Sequence, residues 1–381
     1  MNLKGAKVFV TGATGFIGSR LVQWLVDVEK AQVVAMVHNF KNASRISRHP
    51  IEMVRGDVRD IAALEAAMKG CTHVVHAAVS FAGTAEQNRA TTVDGTRNVC
   101  EAARKAGIKH FVYLSTVSVY GAMPPGPVDE NTPCKPTDAY GQDKLDAEAV
   151  LREADGRGLS PVILRLPVVY GPWSFWSSYP MGQFRRGRVL LPDGGGICPA
   201  IYVDDAVRAI VAGSQFAGKA GAMTCLVSGP DSVTWKRFYE EHAKASLAQP
   251  AEIRMVPKED ILAWYRFNNP GRIRQIWEMR QEARVVMRIP GARLLLGFLR
   301  QVWRVLKNRG KTNEGGRLAE TDMETPNKPD VWPDPAHLEL MASHSTLVCN
   351  VAADTIGFRP SVSFAEGMEK TRAWMKWARL G

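Results

Sequence analysis

The sequence predicts an α/β protein built on a doubly wound parallel sheet. Strand-like and helix-like patterns alternate through the first 170 residues, and this alternation requires right-handed crossovers with helices on both faces of the sheet. A β-branched run near the amino end leads directly into three closely spaced glycines. Polar motifs follow several of the predicted strands, at the edge of a parallel sheet where ligands bind.

The predicted elements follow one another in a regular order. After a first strand that begins near residue 6, the patterns predict strands at 33–37, 53–54, 74–78, 111–115 and 161–166. The helical patterns between them cover 60–69, 86–106 and 138–153. This succession is typical of a Rossmann-type sheet.

The glycine run supplies the first functional signal. Residues 8–18 read V-F-V-T-G-A-T-G-F-I-G, and apolar residues at helical spacing follow at once. Gly12 allows a tight turn, Gly15 lets backbone N–H groups approach a phosphate, and Gly18 lets the helix pack closely on the strand. This strand–turn–helix context predicts a dinucleotide-binding loop. Its predicted cofactor contacts are Gly12, Thr14, Gly15, Phe16, Ile17 and Gly18.

Further cofactor contacts are expected where neighbouring strands end. Asp57 follows a short strand, where its carboxylate or the backbone of Val58 could meet an adenine amine. The alternative is that Asp57 caps the helix at 60–69. Another strand ends with small residues, which a close cofactor approach needs, and these are Ala77, Ala78 and Val79.

The end of the second strand bears on the choice between NADP and NAD. NAD-specific sites usually offer an acid there to the ribose diol, whereas this chain has His38 and Asn39. Lys41, Arg45 and Arg48 follow closely. The missing acid and the three cations favour NADP slightly, and the alternative is that these cations are simply solvated.

A hydroxyl-bearing strand end and a Y-x-x-x-K pair predict the chemistry. The residues L-S-T-V-S at 114–118 end a strand, and Tyr140 lies four residues before Lys144, so both side chains share one helical face. A lysine beside a phenol lowers the pKa of the phenol, and a strand hydroxyl can orient a carbonyl or alcohol. Following a dinucleotide fold, these residues predict an oxidoreductase.

Together these motifs resemble the extended short-chain dehydrogenase/reductase superfamily, in its NAD-dependent epimerase/dehydratase branch. The resemblance covers about residues 1–250 and 337–381. Its matching stretches are T-G-A-T-G-F-I-G (11–18), G-D-V-R-D (56–60), H-A-A (76–78), V-D-G-T-R-N-V (93–99), L-S-T-V-S-V-Y-G (114–121), Y-G-Q-D-K (140–144), L-R-L-P-V-V-Y-G-P (164–172), Y-V-D-D-A (202–206), L-V-S-G-P-D-S-V-T-W-K-R-F (226–238) and I-G-F-R-P-S-V-S-F-A-E-G (356–367).

The resemblance implies a role for each matching residue. Tyr140 would be the general acid/base, and Lys144 would hold the nicotinamide ribose and depress the pKa of Tyr140. Thr116 would hydrogen-bond the reacting oxygen, with Ser118 as the reserve candidate. The cofactor contacts would extend to Tyr140, Lys144, Pro167 and Val168. The implied domains are a dinucleotide-binding domain at 1–170, to which 201–228 returns, and a smaller C-terminal substrate-binding part at 171–200 and 229–381.

Departures from the family pattern narrow the expected substrate. Sugar-nucleotide dehydratases carry an Asp-Glu pair where this chain has Val117 and Ser118, which argues against 4,6-dehydration. Val168 stands where many sugar-nucleotide enzymes have an asparagine, and Thr92 is a second such place. These residues favour a hydrophobic substrate, as in the 3β-hydroxysteroid dehydrogenase-like branch.

Two later regions have their own patterns. Residues 171–200 are rich in aromatic residues that could form core or an apolar ligand site. The same segment contains Arg185, Arg186 and Arg188. Residues 251–335 resemble nothing in the family, and 250–311 holds fourteen Lys/Arg and five Asp/Glu, a net +9 of the chain's +11. A basic stripe beside an apolar face at 272–307 predicts a helix lying on anionic lipid, the alternative being a lid helix. Residues 308–335 read as a loop.

Composition excludes other classes. The 381 residues, 45% hydrophobic and 23% charged, are ordinary for a globular protein. Because one segment holds the positive charge, a general nucleic-acid surface is not expected. The six scattered cysteines predict reduced thiols and no metal site. With no signal peptide or membrane span in the sequence, we expect a cytoplasmic protein, peripheral on the inner membrane face if 272–307 binds lipid.

The resulting functional prediction is hydride transfer between NADP or NAD and a secondary alcohol or ketone. A nucleotide-sugar epimerase with tightly bound NAD is the first alternative. A non-catalytic NADPH-binding sensor is the second, and the presence of Tyr140 and Lys144 counts against it. A homodimer is an expectation carried by the resemblance alone.

Overall fold

The computed structural model describes residues 3–155, 158–216, 221–245, 251–268 and 329–380. Its strands, in chain order, are β1 (Lys7–Thr11), β2 (Gln32–Val37), β3 (Glu52–Arg55), β4 (His73–His76), β5 (His110–Thr116), β6 (Gly126–Val128), β7 (Ser160–Leu166), β8 (Val168–Tyr170), β9 (Arg188–Pro192), β10 (Ile197–Cys198), β11 (Ala200–Tyr202), β12 (Met223–Leu226), β13 (Val233–Thr234), β14 (Ile253–Val256), β15 (Asp330–Val331) and β16 (Ser345–Leu347).

Helices surround these strands. In chain order they are α1 (Phe16–Asp27), α2 (Ile61–Ala67), α3 (Ala85–Arg89), α4 (Gly95–Lys105), α5 (Ala139–Asp155), α6 (Phe175–Phe184), α7 (Val203–Gln215), α8 (Trp235–Ala243), α9 (Lys258–Asn268), α10 (Pro335–Met341), α11 (Asn350–Thr355) and α12 (Phe364–Trp377). Short 3-10 turns lie at Phe40–Arg45 and Val117–Tyr120. Among the described residues, no helix is long and apolar enough to cross a membrane.

A seven-stranded sheet in the order β12-β7-β5-β4-β1-β2-β3 forms the centre, and its neighbouring strands are parallel. The strand order reverses between β1 and β4, which is where an open α/β sheet leaves a crevice for ligands. Strand alternation divides the core into two layers, since Val8 and Val10 pack with Leu21 on one face while Phe9 packs with Leu64 on the other. The predicted doubly wound α/β fold is confirmed.

Smaller sheets join the later chain to this body. Strand β11 pairs with β8, and β9 lies between β14 and β15. Helix α12 returns against β8, where a Cβ on Gly367 would lie 2.2 Å from the Tyr170 hydroxyl. Residues 330–331, predicted as loop, instead form β15, held in part by the 2.6 Å ion pair between Arg188 and Asp330. The basic stretch 272–307 lies outside the described residues.

Three predicted elements end differently in the structure. The helix predicted at 86–106 is divided into α3, a π-helical turn (Ala90–Asp94) and α4. The fourth strand stops at His76, because the next two backbone N–H groups donate to the Thr11 hydroxyl instead of to a strand. The helix predicted at 60–69 is shorter, and Asp60, not Asp57, caps it.

Candidate active site

A cleft of about 520 Å³ opens at the carboxyl ends of β1 to β4. Nine of the predicted cofactor contacts line it, namely Gly12, Thr14, Gly15, His38, Asp57, Val58, Ala77, Ala78 and Val79. The other seven do not line this cleft, namely Phe16, Ile17, Gly18, Tyr140, Lys144, Pro167 and Val168. Val168 is buried in β8, Ile17 packs against the core, and Phe16 faces a different cavity.

Close backbone packing explains the glycines of the turn. Gly12 has φ +66°, and a Cβ there would lie 2.6 Å from the carbonyl oxygen of Ala77. A Cβ on Gly18 would lie 2.1 Å from the Gly12 carbonyl oxygen. Gly15 occupies the N-cap of α1, where no side chain satisfies the first N–H groups of the helix. These donors and the helix dipole form the kind of site that binds a pyrophosphate, so the turn fits a dinucleotide.

Buried hydrogen bonds fix the floor beneath this turn. The Thr11 hydroxyl accepts from the backbone N–H groups of Ala77 and Ala78, both at 3.2 Å. Its own proton is therefore left to donate to Nδ1 of His76, 2.6 Å away, and Nε2–H of His76 donates to Thr96 at 3.0 Å. Burial lowers the pKa of His76 to about 3, so the imidazole is neutral.

Asp57 is held by a residue that the sequence analysis did not single out. Arg59 binds both carboxylate oxygens of Asp57, at 3.0 and 2.7 Å, and also lines the cleft. These hydrogen bonds lower the pKa of Asp57, which keeps it ionised. His38 Nδ1 lies 3.4 Å from the same carboxylate. The spacing of Asp57 and Arg59 in the motif G-D-V-R-D was a local signal for this pair.

The three cations expected near His38 are separated in the structure. Lys41 lines a shallow pocket at the end of β2 together with His38 and Arg55. Arg45 and Arg48 line another cavity, beside α1. Of the three, Lys41 alone shares a pocket with His38, because the 3-10 turn carries the two arginines toward α1.

Tyr140 and Thr116 meet at the end of β5. The phenol of Tyr140 is hydrogen-bonded to Thr116, whose hydroxyl also contacts Ser118 at 3.2 Å. The ring of Phe81 lies 5.1 Å from the ring of Tyr140. Ser80 and Gly83, which lie close to Phe81 in the chain, line the cofactor cleft, so Tyr140 contacts the loop that borders the cleft without lining the cleft itself.

Lys144 is buried beside β5 without a carboxylate. Its Nζ donates to the Leu114 carbonyl at 2.6 Å and to the Tyr113 hydroxyl at 3.2 Å. Burial lowers the pKa of Lys144 to about 7, and Glu148 only partly offsets this. Burial likewise raises the pKa of Tyr140 to about 12. The predicted lowering of the Tyr140 pKa by Lys144 is thus wrong for this arrangement, in which the ammonium bonds to other oxygens.

Ser115, one residue before Thr116, belongs to a different network. Its hydroxyl donates to Glu148 at 2.6 Å. Arg165 binds both oxygens of Glu148, at 3.0 and 2.8 Å, and donates to the Tyr120 hydroxyl at 2.9 Å. Burial pushes the pKa of Glu148 upward, but these hydrogen bonds leave it below its ordinary value. Ser115 therefore supports an internal ion pair.

Tyr113 is the second residue near the site that sequence reasoning missed. Its hydroxyl accepts from Lys144 and bonds to Thr96, and burial raises its pKa well above the ordinary value. Thr96 in turn donates to the Thr92 carbonyl, 2.5 Å away in the π-helical turn. Hydrogen bonds through Tyr113 and Thr96 therefore connect Lys144 to His76. Tyr113 lies within the strand predicted at 111–115, and the apolar pattern of that strand gave no functional signal.

An aromatic group lies on the C-terminal side. The ring of His337 lies 4.9 Å from Trp176, 5.3 Å from Tyr179 and 5.9 Å from Phe175. Burial lowers the pKa of His337, and its Nδ1 has no hydrogen-bond partner among the described residues. The Asp138 carboxylate is close enough to raise the pKa of both His337 and Tyr140. The aromatic group and Tyr140 therefore share one charged neighbour, Asp138.

Comparison with known proteins places the chain in a family. The model of the NAD dependent epimerase/dehydratase family matches residues 8–222, more than half of the chain. An N-acetyl-alpha-D-glucosaminyl-diphospho-ditrans,octacis-undecaprenol 4-epimerase of Escherichia coli O157:H7 is 35% identical over 197 residues, covering 49% of this chain and 56% of that protein. Sterol demethylase protein B of Methylococcus capsulatus is 30% identical over 174 residues, covering 44% and 52%.

The likeness to solved structures concerns the fold. A UDP-glucuronic acid 4-epimerase from Bacillus cereus, solved in complex with NAD, superposes with a TM-score of 0.67 at 18% identity, covering 97% of this chain and 96% of that one. By sequence, the chain spans about half the length of the curated relatives described above. The matched model and the shared sheet establish that this chain belongs to the NAD-dependent epimerase/dehydratase family of extended short-chain dehydrogenase/reductase enzymes.

Proposed function

We propose that this protein is an NAD(P)-dependent oxidoreductase that acts on a secondary alcohol or ketone. The observation that carries the proposal is the hydrogen-bonded pair of Tyr140 and Thr116 beside the loop that borders a cleft whose glycine turn fits a dinucleotide. A bound nicotinamide supplies or accepts the hydride. This chain's own residues must then orient the substrate oxygen and move its proton.

Tyr140 holds the proton that the reaction needs. Because burial raises its pKa to about 12, the phenol is protonated at neutral pH and can donate to a carbonyl oxygen during reduction. Thr116 orients that oxygen, and Ser118 supports Thr116 through the 3.2 Å contact. Lys144 has three N–H groups, of which two are engaged by Leu114 and Tyr113, and the third is available to a ribose hydroxyl.

The preferred cofactor in this proposal is NADP. No carboxylate follows β2 directly, and the nearby Asp57 is already engaged by Arg59. His38, Lys41 and Arg55 line the adjoining pocket, where a 2′-phosphate would find positive charge. The B. cereus structure contains NAD, so the ratio of the two cofactor affinities tests this point.

A hydrophobic or lipid-linked substrate is the proposed class. The rings of Phe175, Trp176, Tyr179 and His337 pack together and share the charged neighbour Asp138 with Tyr140, so we propose them as the apolar surface that contacts the substrate. The buried Val168 offers no amide group for a diphosphate sugar. The names of the two curated relatives, an undecaprenol-linked sugar epimerase and a sterol demethylase protein, also point to lipid-like molecules.

Epimerisation is the second candidate, and the 35% identity to the undecaprenol-linked sugar epimerase favours it. In that reaction the keto intermediate is reduced again on its other face, so the cofactor shows no net change. Purified protein would be incubated with NADPH or NADH and a panel of ketones, secondary alcohols and sugar diphosphates. Net change in absorbance at 340 nm supports the oxidoreductase, and isomer formation without it supports the epimerase. No turnover of either kind contradicts both.

We further propose that residues 1–170 with 201–228 form the dinucleotide-binding domain, and that 171–200 with 229–381 form the substrate-binding part. The pairing of β12 with β7 supports the return of 201–228 to the first domain. A cytoplasmic location, attachment to the inner membrane face through 272–307 and a homodimer complete the proposal. Fractionation and light scattering test these three points.

A further inference from the structure

A second cavity, of about 420 Å³, lies between α1, the turn Phe40–Arg45 and the loop at 172–173. It shares no lining residue with the cofactor cleft. Three arginines line it, so we name it the arginine cavity, and its charged and polar lining residues are Ser19, Arg20, Gln23, Ser44, Arg45 and Arg48.

Two of these arginines have no carboxylate partner among the described residues. Arg20 is neutralised by Asp204, with Nε and Oδ1 2.7 Å apart. Arg45 instead donates to the Thr14 carbonyl at 2.8 Å, and Arg48 contacts the neighbouring His49 ring at 3.3 Å. Burial lowers the pKa of Arg45 with no acid to oppose it. The cavity therefore carries positive charge that an anion would offset.

Neighbouring groups add donors of the same kind. Helix α7 begins at the cavity wall, where Tyr202 and Val203 line it, and no side chain caps its first N–H groups. Its two first-turn acids are already engaged, because Asp204 bonds to Arg20 and Asp205 accepts from the backbone at 361–362. Guanidinium groups and a helix N-terminus are both donors that phosphate oxygens prefer.

Tryptophans form one rim of the cavity. Trp173 has φ +73°, is 51% exposed and stacks against Arg45 with 5.4 Å between guanidinium and ring. The rings of Trp374 and Trp377 lie 5.4 and 6.4 Å from it, and Trp377 is 73% exposed. A left-handed backbone at a bulky residue is strained, and such strain is concentrated at binding sites.

We propose that the arginine cavity binds a phosphate ester group, separately from the cofactor. The group belongs either to a soluble phosphate ester or to the headgroup of an anionic phospholipid, and the exposed indoles suit the boundary of a lipid layer. The site is separate from the proposed hydride transfer, because none of its lining residues is assigned a catalytic role and Phe16 is the one lining residue that was predicted as a cofactor contact.

The test compares two charge-matched double variants of the full chain. Arg45→Gln/Arg48→Gln removes the two guanidiniums that have no carboxylate partner among the described residues. Arg97→Gln/Arg104→Gln removes two exposed arginines of α4, far along the chain from the cavity. Glycerol 3-phosphate binding is measured by calorimetry, and co-sedimentation is measured with vesicles of phosphatidylglycerol and of phosphatidylcholine. We expect wild type and the α4 variant to bind at least one phosphate probe alike, and the cavity variant at least ~10-fold more weakly.

The two arms distinguish the sources of the phosphate. Loss of glycerol 3-phosphate binding assigns a soluble ester, and loss of phosphatidylglycerol binding alone assigns a lipid headgroup. Equal binding by both double variants overturns the proposal, as does no binding of either probe by wild type. A selective loss of affinity for NADP over NAD also overturns it, because the arginines would then serve the cofactor. Should loss of the Arg45–Thr14 contact unfold the protein, Arg48→Gln alone gives the same comparison.

Discussion

Two buried cations lie next to strand β5 and have opposite surroundings. Among the described residues, Lys144 donates hydrogen bonds to neutral oxygens, those of Leu114 and Tyr113, and burial lowers its pKa to about 7. Arg165 is gripped by both oxygens of Glu148, which outweighs burial and raises its pKa above the ordinary value. Helix α5 supplies Lys144 to one site and Glu148 to the other, one turn apart.

The difference separates a structural cation from a reactive one. The Arg165 guanidinium, bound by both oxygens of Glu148, cannot leave this carboxylate without a large cost in free energy, because a buried charge would then be left unpaired. An ammonium held by neutral oxygens can turn toward a ribose or lose its proton near neutral pH. The chain thus has a carboxylate-paired arginine beside Lys144, the lysine that we propose as the ribose-binding residue.

The largest expected effect is a loss of turnover on substitution of Tyr140, compared with Tyr120 beside the Arg165 ion pair. Tyr140→Phe removes the proposed proton donor, so turnover should fall at least ~100-fold while cofactor affinity stays nearly intact. The matched control is Tyr120→Phe, which removes a hydroxyl bonded to Arg165. It should lose about 1–2 kcal/mol of stability and keep its turnover. Near-wild-type rates in Tyr140→Phe would remove the catalytic assignment.

The next effect tests the rigid pair. Glu148→Gln leaves Arg165 buried without its carboxylate, and the free energy of unfolding should drop by about 3–5 kcal/mol. Urea denaturation followed by circular dichroism measures this. Glu148 also raises the pKa of Lys144, so its loss should lower that pKa. The pH dependence of any remaining activity should therefore shift to lower pH than in wild type. A loss below about 1 kcal/mol would mean that the two sites do not differ as described.

A smaller effect is expected from Tyr113→Phe, which removes one acceptor from Lys144. Turnover should fall roughly 10-fold, the value of one such hydrogen bond, and the loss of a buried acceptor should cost about 1–2 kcal/mol of stability, as in Tyr120→Phe. The alkaline limb of the rate–pH profile should move to lower pH, since the ammonium form loses a stabilising contact. An unchanged profile would show that Tyr113 only fills space.

The smallest effect concerns acid stability around His76. Its folded pKa is about 3 against an ordinary 6.5, so the unfolded chain binds a proton that the folded chain refuses between these values. Stability is therefore complete above pH 6.5 and falls as pH decreases, by about 1.4 kcal/mol per pH unit for this group. Between pH 6 and 4.5, the urea midpoint of His76→Asn should decrease less steeply with falling pH than the midpoint of wild type. Equal slopes would contradict a neutral buried His76.

The glycine turn could be predicted because its signal is local. Gly12, Gly15 and Gly18 are close in sequence, and each spacing has one simple steric reason. The Tyr140 and Lys144 pair was likewise visible as one turn of helix. The sheet followed from the alternation of patterns, and its order places β4 beside β1.

Contacts between distant segments could not be predicted in this way. The bond from Lys144 to Tyr113 joins residues 31 positions apart, and it depends on how α5 packs against β5. The direction of the Tyr140 pKa shift depends on burial, which periodicity does not measure. Arg45 and Arg48 line a different pocket from His38 because of the 3-10 turn at Phe40–Arg45, and no sequence motif predicted that turn.

The most direct test of the account is the structure of the wild-type protein with bound NADP or NAD. We expect the pyrophosphate to lie against the turn of Gly12 and Gly15, and the nicotinamide ring to face Tyr140 with Lys144 Nζ on its ribose. A dinucleotide bound elsewhere, or with its nicotinamide turned away from Tyr140, would contradict the account.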